Sequence, residues 1–451
     1  MEIKRIKEHG TQMILQFAIP SIIAMVLTSM INIVDGMFIG RYVGAEGLAA
    51  VNLGLPIVYL YLAVGLMIAV GGISIAGRLL GEGEIESANQ IFRQTIMVCA
   101  VVSFAITLVM FFLLTEIGSL FHASAMTMEY FEQYYGILIF ELPIMVITSG
   151  LGMFIRGEGR PAFVMITNLV TVLLNAVLDY LFVATFSFGV TGIAAASLLS
   201  AFLVLVINIV YLTVGTKVFH FGKFVWNKRA LLETFLNGGS EFIGELSMCL
   251  SMSAYNYVVL KHAGVAGLAA FTIIGYVSYV FSMIIIGFGQ GIVPVISFSY
   301  GAKEKNLAAG IRNKTMGMVM AAAMILFLIM SFAAGGYCSL FTDKEGENAG
   351  NIADIVIPGL RLQMSSFLFA GINTIASFYF TAIGKAKESA VISASRGLIV
   401  LMLAILILPA LFGITGVWLV SLTTETVTLL ISVWYIKKEG ITRKYSLNPA
   451  G

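Results

Sequence analysis

The chain has 451 residues, 59% of them hydrophobic and 11% charged, with a mean hydropathy of +0.97 and a formal net charge of +2. A soluble domain carries roughly 25% charged residues, so this composition excludes a water-soluble enzyme or a nucleic-acid-binding module. It assigns the chain to a lipid bilayer.

The opening segment, MEIKRIKEHG, is basic and amphipathic and lacks a small-residue cleavage pattern, so it reads as a lead-in to the first span rather than a signal peptide. Apolar stretches follow over about 12–38, 51–75, 91–114, 131–155, 162–185, 190–214, 233–260, 267–297, 313–335, 353–381, 390–412 and 415–436. Each is close to or above the ~20 residues that cross a bilayer as a helix. The expected fold is all-α, with twelve transmembrane helices, six in each half.

The halves are copies. RYVGAEGLAA at 41–50 returns as KHAGVAGLAA at 261–270, and FGVTGIAAAS at 188–197 returns as FGITGVWLVS at 412–421. Two matches at nearly one offset mark an internal repeat. An even number of spans per half keeps both halves in one orientation, related by a pseudo-twofold axis along the membrane normal, with a substrate path between them. The polar, basic segment TKVFHFGKFVWNKRA, 216–230, divides an N-terminal lobe, 1–215, from a C-terminal lobe, 231–451. With the N-terminus inside, 22 of the 26 Lys and Arg fall in inside segments; Arg41, Lys261 and Lys344 fall outside and Arg361 within a span. The positive-inside rule then places both termini in the cytoplasm, in a bacterial inner or plasma membrane.

Cys99, Cys249 and Cys338 stand alone in apolar stretches, and His122 and His262 fall in expected external loops, with no metal-ligand spacing or nucleophile partner. No GxSxG, HExxH or GxxxxGK[ST] pattern is present, so the expectation is a transporter without catalytic residues or cofactor, and any pumping draws on an ion gradient. Charged groups inside the spans are the informative residues, because a mid-bilayer carboxylate costs on the order of 2.5–3.5 kcal/mol even on the lenient insertion scale. Asp35 lies deep in the first span, beyond Pro20, which is expected to act as a hinge. Asn175 and Asp179 share one face of the fifth span, and Ser197 follows on the sixth. Two carboxylates, an amide and a hydroxyl form a hard oxygen shell suited to Na⁺, and the same carboxylates can instead take up H⁺.

On the second lobe side, Glu241 and Glu245 share a face of the seventh span and are expected to share a proton, attract a cationic substrate or border a vestibule. Glu141 and Arg361 match at the 220 offset and are expected to pair across the lobes as a gate. Tyr59, Tyr135, Met283, Gln290 and Gln363 are candidate cavity residues by position. Laid over one another, the halves place Asp35 opposite Tyr255, Asp179 opposite Leu403 or Ala404, and Glu245 opposite Met25. The unshared acids set the lobes apart.

The Pro20 to Asp35 spacing, VDGMFIGRYVGAEGLAAVNLGLP, GEGRP at 157–161, LNAVLDYLF and the FGVTGIAAAS repeat together resemble the multidrug and toxic compound extrusion family, its bacterial MepA-like and DinF-like members in particular. The resemblance covers essentially the whole chain. It implies a monomeric antiporter in the lipid bilayer that exports small organic, cationic substrates in exchange for H⁺ or Na⁺. It also implies a cation site at Asp35, Asn175, Asp179 and Ser197, where Ser replaces the family's Thr. Some members hold a second cation between the seventh span and an Asp on the tenth; this tenth span has no such Asp within it. Two alternatives stand beside this reading: a lipid-linked oligosaccharide flippase of the same superfamily, and a non-transporting membrane component.

Overall fold

The computed structural model describes residues 2–119, 123–216, 218–223, 225–339, 341 and 349–447, and the described chain is almost entirely helical. His122, Lys217 and Lys344, assigned to loops from the sequence, lie outside these residues. A short amphipathic helix, Ile3–Glu8, leads into span 1, Gly10–Tyr42. Span 2 is Ala45–Leu53 and Leu55–Glu82, interrupted at Gly54; span 3 is Ile85–Ser119 and span 4 Ala125–Gly157. Span 5, Pro161–Asp179, and span 6, Gly189–Val210, each end in a π-helical turn, Tyr180–Thr185 and Tyr211–Gly215.

Spans 7 and 8 run together over Lys228–Gly301 and part at Gly264; span 9 is Lys305–Cys338 and span 10 Ala349–Ala382. Span 11 begins as Ala386–Ala394 with the π turn Ser395–Ile399, and Val400–Leu447 completes it and adds span 12 beyond Gly413. Ten described segments are long and apolar enough to cross a membrane on length and composition. The difference from twelve has a simple source. Span 7 is diluted by Arg229, Glu233, Glu241 and Glu245, and spans 11 and 12 follow one another without a loop.

The repeat is visible in the backbone. Positive φ recurs at equivalent turns in the two lobes: Gly44 and Gly264, Gly83 and Lys303, Gly159 and Gly384, Gly189 and Gly413. Tight reversals between helices need this left-handed conformation, which Gly adopts without a Cβ clash. The side-chain pattern also repeats: Ser197 Oγ donates to Asp35 Oδ2 at 3.3 Å, and its counterpart Ser421 sits 3.1 Å from the hydroxyl of Tyr255.

The two lobes meet on the half of the molecule that bears the termini. A Cβ on Gly71 would stand 2.0 Å from the carbonyl oxygen of Thr234, one on Gly238 1.8 Å from that of Met67, and one on Gly301 2.0 Å from that of Arg78. Gly287 and Gly291 likewise press on Ile22 and Phe17 of span 1. Small residues let helix backbones approach closely in a membrane, where dispersion contacts replace the hydrophobic drive. Three polar links cross the same seam: Arg156 Nη1 to Gln290 Oε1 at 3.4 Å, Arg78 Nη1 to Ala382 O at 3.3 Å, and Lys7 Nζ to Glu304 Oε1 at 2.6 Å. The glycine contacts use the terminal-side halves of spans 1, 2, 7 and 8, and the polar links add Arg156 of span 4, Ala382 at the end of span 10, Lys7 of the lead-in helix and Glu304 just after span 8. The lobes are therefore shut on the side of the termini, so that a passage between them opens toward the opposite side.

The chain between the lobes is strapped along span 3. Asn89 Nδ2 donates to Val218 O at 2.8 Å, Arg93 donates to His220 O at 3.0 Å and Lys223 O at 2.8 Å, and Gln94 exchanges two bonds with the backbone of Asn227. Asn227 then caps the start of span 7 by accepting from Ala230 N at 3.0 Å.

Candidate functional site

Span 1, span 5 and span 6 bring Asp35, Asn175, Asp179 and Ser197 into one buried cluster, with Asp179 fully buried and the other three at most 9% exposed. Ser197 Oγ accepts from Asn175 Nδ2 at 3.2 Å while it donates to Asp35 Oδ2. The carboxyls of Asp35 and Asp179 are electrostatic neighbours, and Asn175 stands beside Asp35. Four oxygens in this cluster have no hydrogen-bond donor: Asp35 Oδ1, Asn175 Oδ1 and both carboxylate oxygens of Asp179. None of the ion pairs among the described residues involves either Asp. Buried acceptors without donors are costly, and a positive partner would offset that cost. Asp179 is the last α-helical residue before a π turn, a distortion that often re-aims side chains at functional sites.

Two further residues face this cluster. Tyr134 on span 4 is within electrostatic reach of Asp35, Asp179 and Glu141, and Glu141 of Asp35. Nothing in the sequence marks Tyr134, which reads as one more aromatic in an apolar span.

The expected Glu141–Arg361 gate is not formed in this structure. Glu141 turns to the acids of its own lobe, while the exposed Arg361 donates its Nε to Ser331 O at 3.3 Å on span 9. Matching positions in the two halves point symmetrically about the axis, not at each other. Combining charge reversal at Glu141 with reversal at Arg361 should therefore fail to restore transport lost in either single variant. Rescue in a substrate-efflux assay would contradict this placement.

Tyr135 is also corrected. Its side chain is fully buried, its hydroxyl donates to Val51 O at 2.7 Å, and its ring lies so close to Gly54 that a Cβ there would be 2.1 Å away. It is a core residue that braces the break in span 2. Gln290 belongs to the terminal-side seam through Arg156 rather than to the open cleft. Tyr59, Met283 and Gln363 are half-buried on spans 2, 8 and 10. Pro20 lies within a helix that continues through it, in the stretch packed on span 8.

Glu241 and Glu245 stand about one and two turns beyond Gly238, where the seam ends, and so line the floor of the cleft. Glu245 is within electrostatic reach of Tyr59 on span 2 and of Tyr279 on span 8, and Tyr279 neighbours Asn32 of span 1. Glu241 Oε1 accepts from Ser240 Oγ at 3.4 Å and faces Arg396 at longer range.

Deeper in the C-terminal lobe lies a network centred on Arg396 that no motif in the sequence announces. Arg396 Nε bonds Glu425 Oε1 at 2.6 Å and its Nη1 donates to Thr374 Oγ1 at 2.5 Å; Asn373 Nδ2 donates to Glu425 Oε2 at 2.8 Å and Asn373 Oδ1 accepts from Ser432 at 2.8 Å. The lobes thus solve the same problem differently. In the C-terminal lobe the buried acid is met by a guanidinium; in the N-terminal lobe two acids have no base. Among the described residues no group of three His, Cys, Asp or Glu side chains is arranged for a metal. The N-terminal cluster, with two carboxylates and neutral oxygens, fits Na⁺ or H⁺ rather than a transition metal.

A family model described as MatE matches residues 20–181 and 242–406, one segment in each lobe. The multidrug export protein MepA of Staphylococcus haemolyticus is 23% identical over 425 residues, 94% of this chain and 92% of that protein. MepA of Staphylococcus aureus strain MSSA476 is 24% identical over 433 residues, 95% of this chain and 94% of that protein. A solved outward-facing conformation of a multidrug resistance MATE family transporter of the MOP superfamily superposes with a TM-score of 0.89 at 22% identity, covering 95% of each chain. The twelve helices and the two-lobe arrangement agree with that fold.

Proposed function

This chain belongs to the MatE family of multidrug efflux transporters, and on that premise we propose that it is an antiporter exchanging an inward H⁺ or Na⁺ for an outward organic cation by alternating access. The observation that carries this reading is the base-free acid cluster at Asp35, Asn175, Asp179 and Ser197, with four oxygens awaiting a positive partner. The cation occupies that cluster. The substrate binds in the cleft, where Glu241 and Glu245 supply negative charge and Tyr59 and Tyr279 supply aromatic faces for a cation–π contact.

The N-terminal lobe, 1–215, and the C-terminal lobe, 231–451, rock as bodies about the segment 216–230, with both termini in the bacterial cytoplasm as the distribution of Lys and Arg supports. In that orientation the structure is shut to the cytoplasm and open outward. Loading the acid cluster changes the packing of spans 1, 5 and 6, and Pro20 lets span 1 bend because it removes a backbone donor from the helix. Exchange follows when ion and substrate prefer different states. No group outside the chain is needed beyond the ion, the substrate and the bilayer; the protein works as a monomer.

The competition is directly measurable. A lipophilic fluorescent cation binding to purified protein should be weakened by Na⁺ or by acid, and its release should track ion uptake; binding indifferent to both would overturn the coupling. For the cleft, Glu245→Gln should raise the half-saturating concentration of a cationic substrate by roughly three- to thirtyfold, the size of one partly desolvated charge pair near an effective dielectric of about 20. A neutral substrate should be unaffected.

A further inference from the structure

Arg156, near the end of span 4, is 5% exposed and lies in the terminal-side seam just where the lobes are shut. Its Nη1 contacts are the sulfur of Met153 at 3.2 Å and the amide oxygen of Gln290 at 3.4 Å, and its Nε has no partner. None of the four ion pairs among the described residues includes it. A thioether is a weak acceptor and an amide carries no charge, so the guanidinium is buried with its charge uncompensated. This is unlike Arg312 and Arg396, each of which meets a glutamate in the C-terminal lobe.

A fixed positive charge without a counter-ion, placed across the closed end of a passage whose floor carries Glu241 and Glu245, raises the energy of any cation that follows them. Pores that must exclude protons and cations use a single Arg in this way. We propose that Arg156 is an electrostatic plug, which prevents H⁺ and Na⁺ from slipping through the shut seam without exchange for substrate. The inference rests on the proposed ion coupling only for its purpose; the barrier itself follows from the geometry of the seam. Lobe packing blocks the large substrate, but transient hydration of a seam admits small ions, and there a charge acts at a distance where packing does not.

The test uses the full chain in proteoliposomes without substrate. An imposed pH gradient is followed with a trapped pH dye and an imposed Na⁺ gradient with a Na⁺-sensitive dye. Arg156→Gln should accelerate substrate-independent dissipation of at least one gradient by roughly thirtyfold, the Boltzmann factor for unit charges about 8 Å apart at an effective dielectric of about 20. Arg156→Lys, which keeps the charge, should stay as tight as the unaltered protein. Monodisperse elution and an unchanged melting transition for Arg156→Gln separate a leak from misfolding. If that variant folds and its vesicles remain tight, or if Arg156→Lys leaks equally, the plug is refuted. Gradient-driven substrate movement by the unaltered protein in the same vesicles reports separately on ion coupling. Failure of one is therefore distinguishable from failure of the other.

Discussion

Replacing Asp35 or Asp179 by Asn should reduce gradient-driven efflux to background, a loss of at least tenfold, while leaving a folded protein in the membrane. Both residues sit in a buried cluster whose acidic oxygens lack donors, and none of the ion pairs among the described residues includes them. Asparagine keeps the volume and adds an amide that can donate to the neighbouring carboxyl. The folded lobe is therefore preserved or stabilised, since two adjacent buried acids are replaced by an acid and a donor. The ion's differential affinity for the two states is what disappears. Typical coupling energies of about 1–3 kcal/mol correspond to effects of about 5- to 150-fold. Efflux of a fluorescent cation from energised cells, normalised to protein in the membrane, measures the loss. Full activity in both variants would remove the site assignment. Asn175→Ala and Ser197→Ala should weaken transport less, because each contributes a neutral oxygen rather than a charge.

The second large effect is mechanical. Gly238→Val should prevent the lobes from shutting on the terminal side, because even a Cβ there would lie 1.8 Å from the Met67 carbonyl oxygen and 2.6 Å from its carbon. Backbone atoms of a packed helix cannot move aside as a side-chain tip can. The seam must part, at a cost of overpacking of about 1–3 kcal/mol or more, and the state shut on the terminal side loses population accordingly. Cys249 provides an intrinsic reporter. It is half-buried on span 7 near Tyr59 in the cleft, whereas Cys99 and Cys338 are buried. A membrane-impermeant maleimide applied from outside should label Cys249 in the unaltered protein and label it at least several-fold more slowly in Gly238→Val. Equal labelling would contradict the identification of this seam as the closed gate. Gly239, one residue further on, has open space where a Cβ would go. Gly239→Ala should be tolerated.

Much of this arrangement was legible before any coordinates. Hydrophobic run length marked each span, and the offset of the repeat marked the lobes, because both follow from local chain physics. The acid cluster was legible too. Asn175 and Asp179 announce a shared face by their spacing, and a mid-span Asp35 demands compensation. What the sequence could not show were meetings decided by helix packing. Arg396 lies ten residues after the polar turn at Gly384 to Ala386, close enough to be counted with the loop, and only the path of span 11 carries it inward to Glu425. Tyr134 and Tyr135 are indistinguishable by composition, yet one faces the acids and the other braces Gly54. The gate pairing of Glu141 with Arg361 rested on matched positions in the repeat, and a pseudo-twofold axis sends such positions to separate lobes unless they lie on the axis itself. Arg156 looked like one more inside cation; its isolation appears only when span 8 is packed against it.

In the proposed cycle an ion gradient, acting through the N-terminal acids, drives substrate out between the lobes. Transport of a fluorescent organic cation in proteoliposomes, with pH and Na⁺ gradients imposed separately at zero membrane potential, tests it most directly. Substrate should move opposite to at least one of these gradients, a movement abolished by the matching ionophore and absent in vesicles carrying Asp35→Asn. Substrate movement that ignores both gradients, or that survives unchanged in Asp35→Asn, would contradict it.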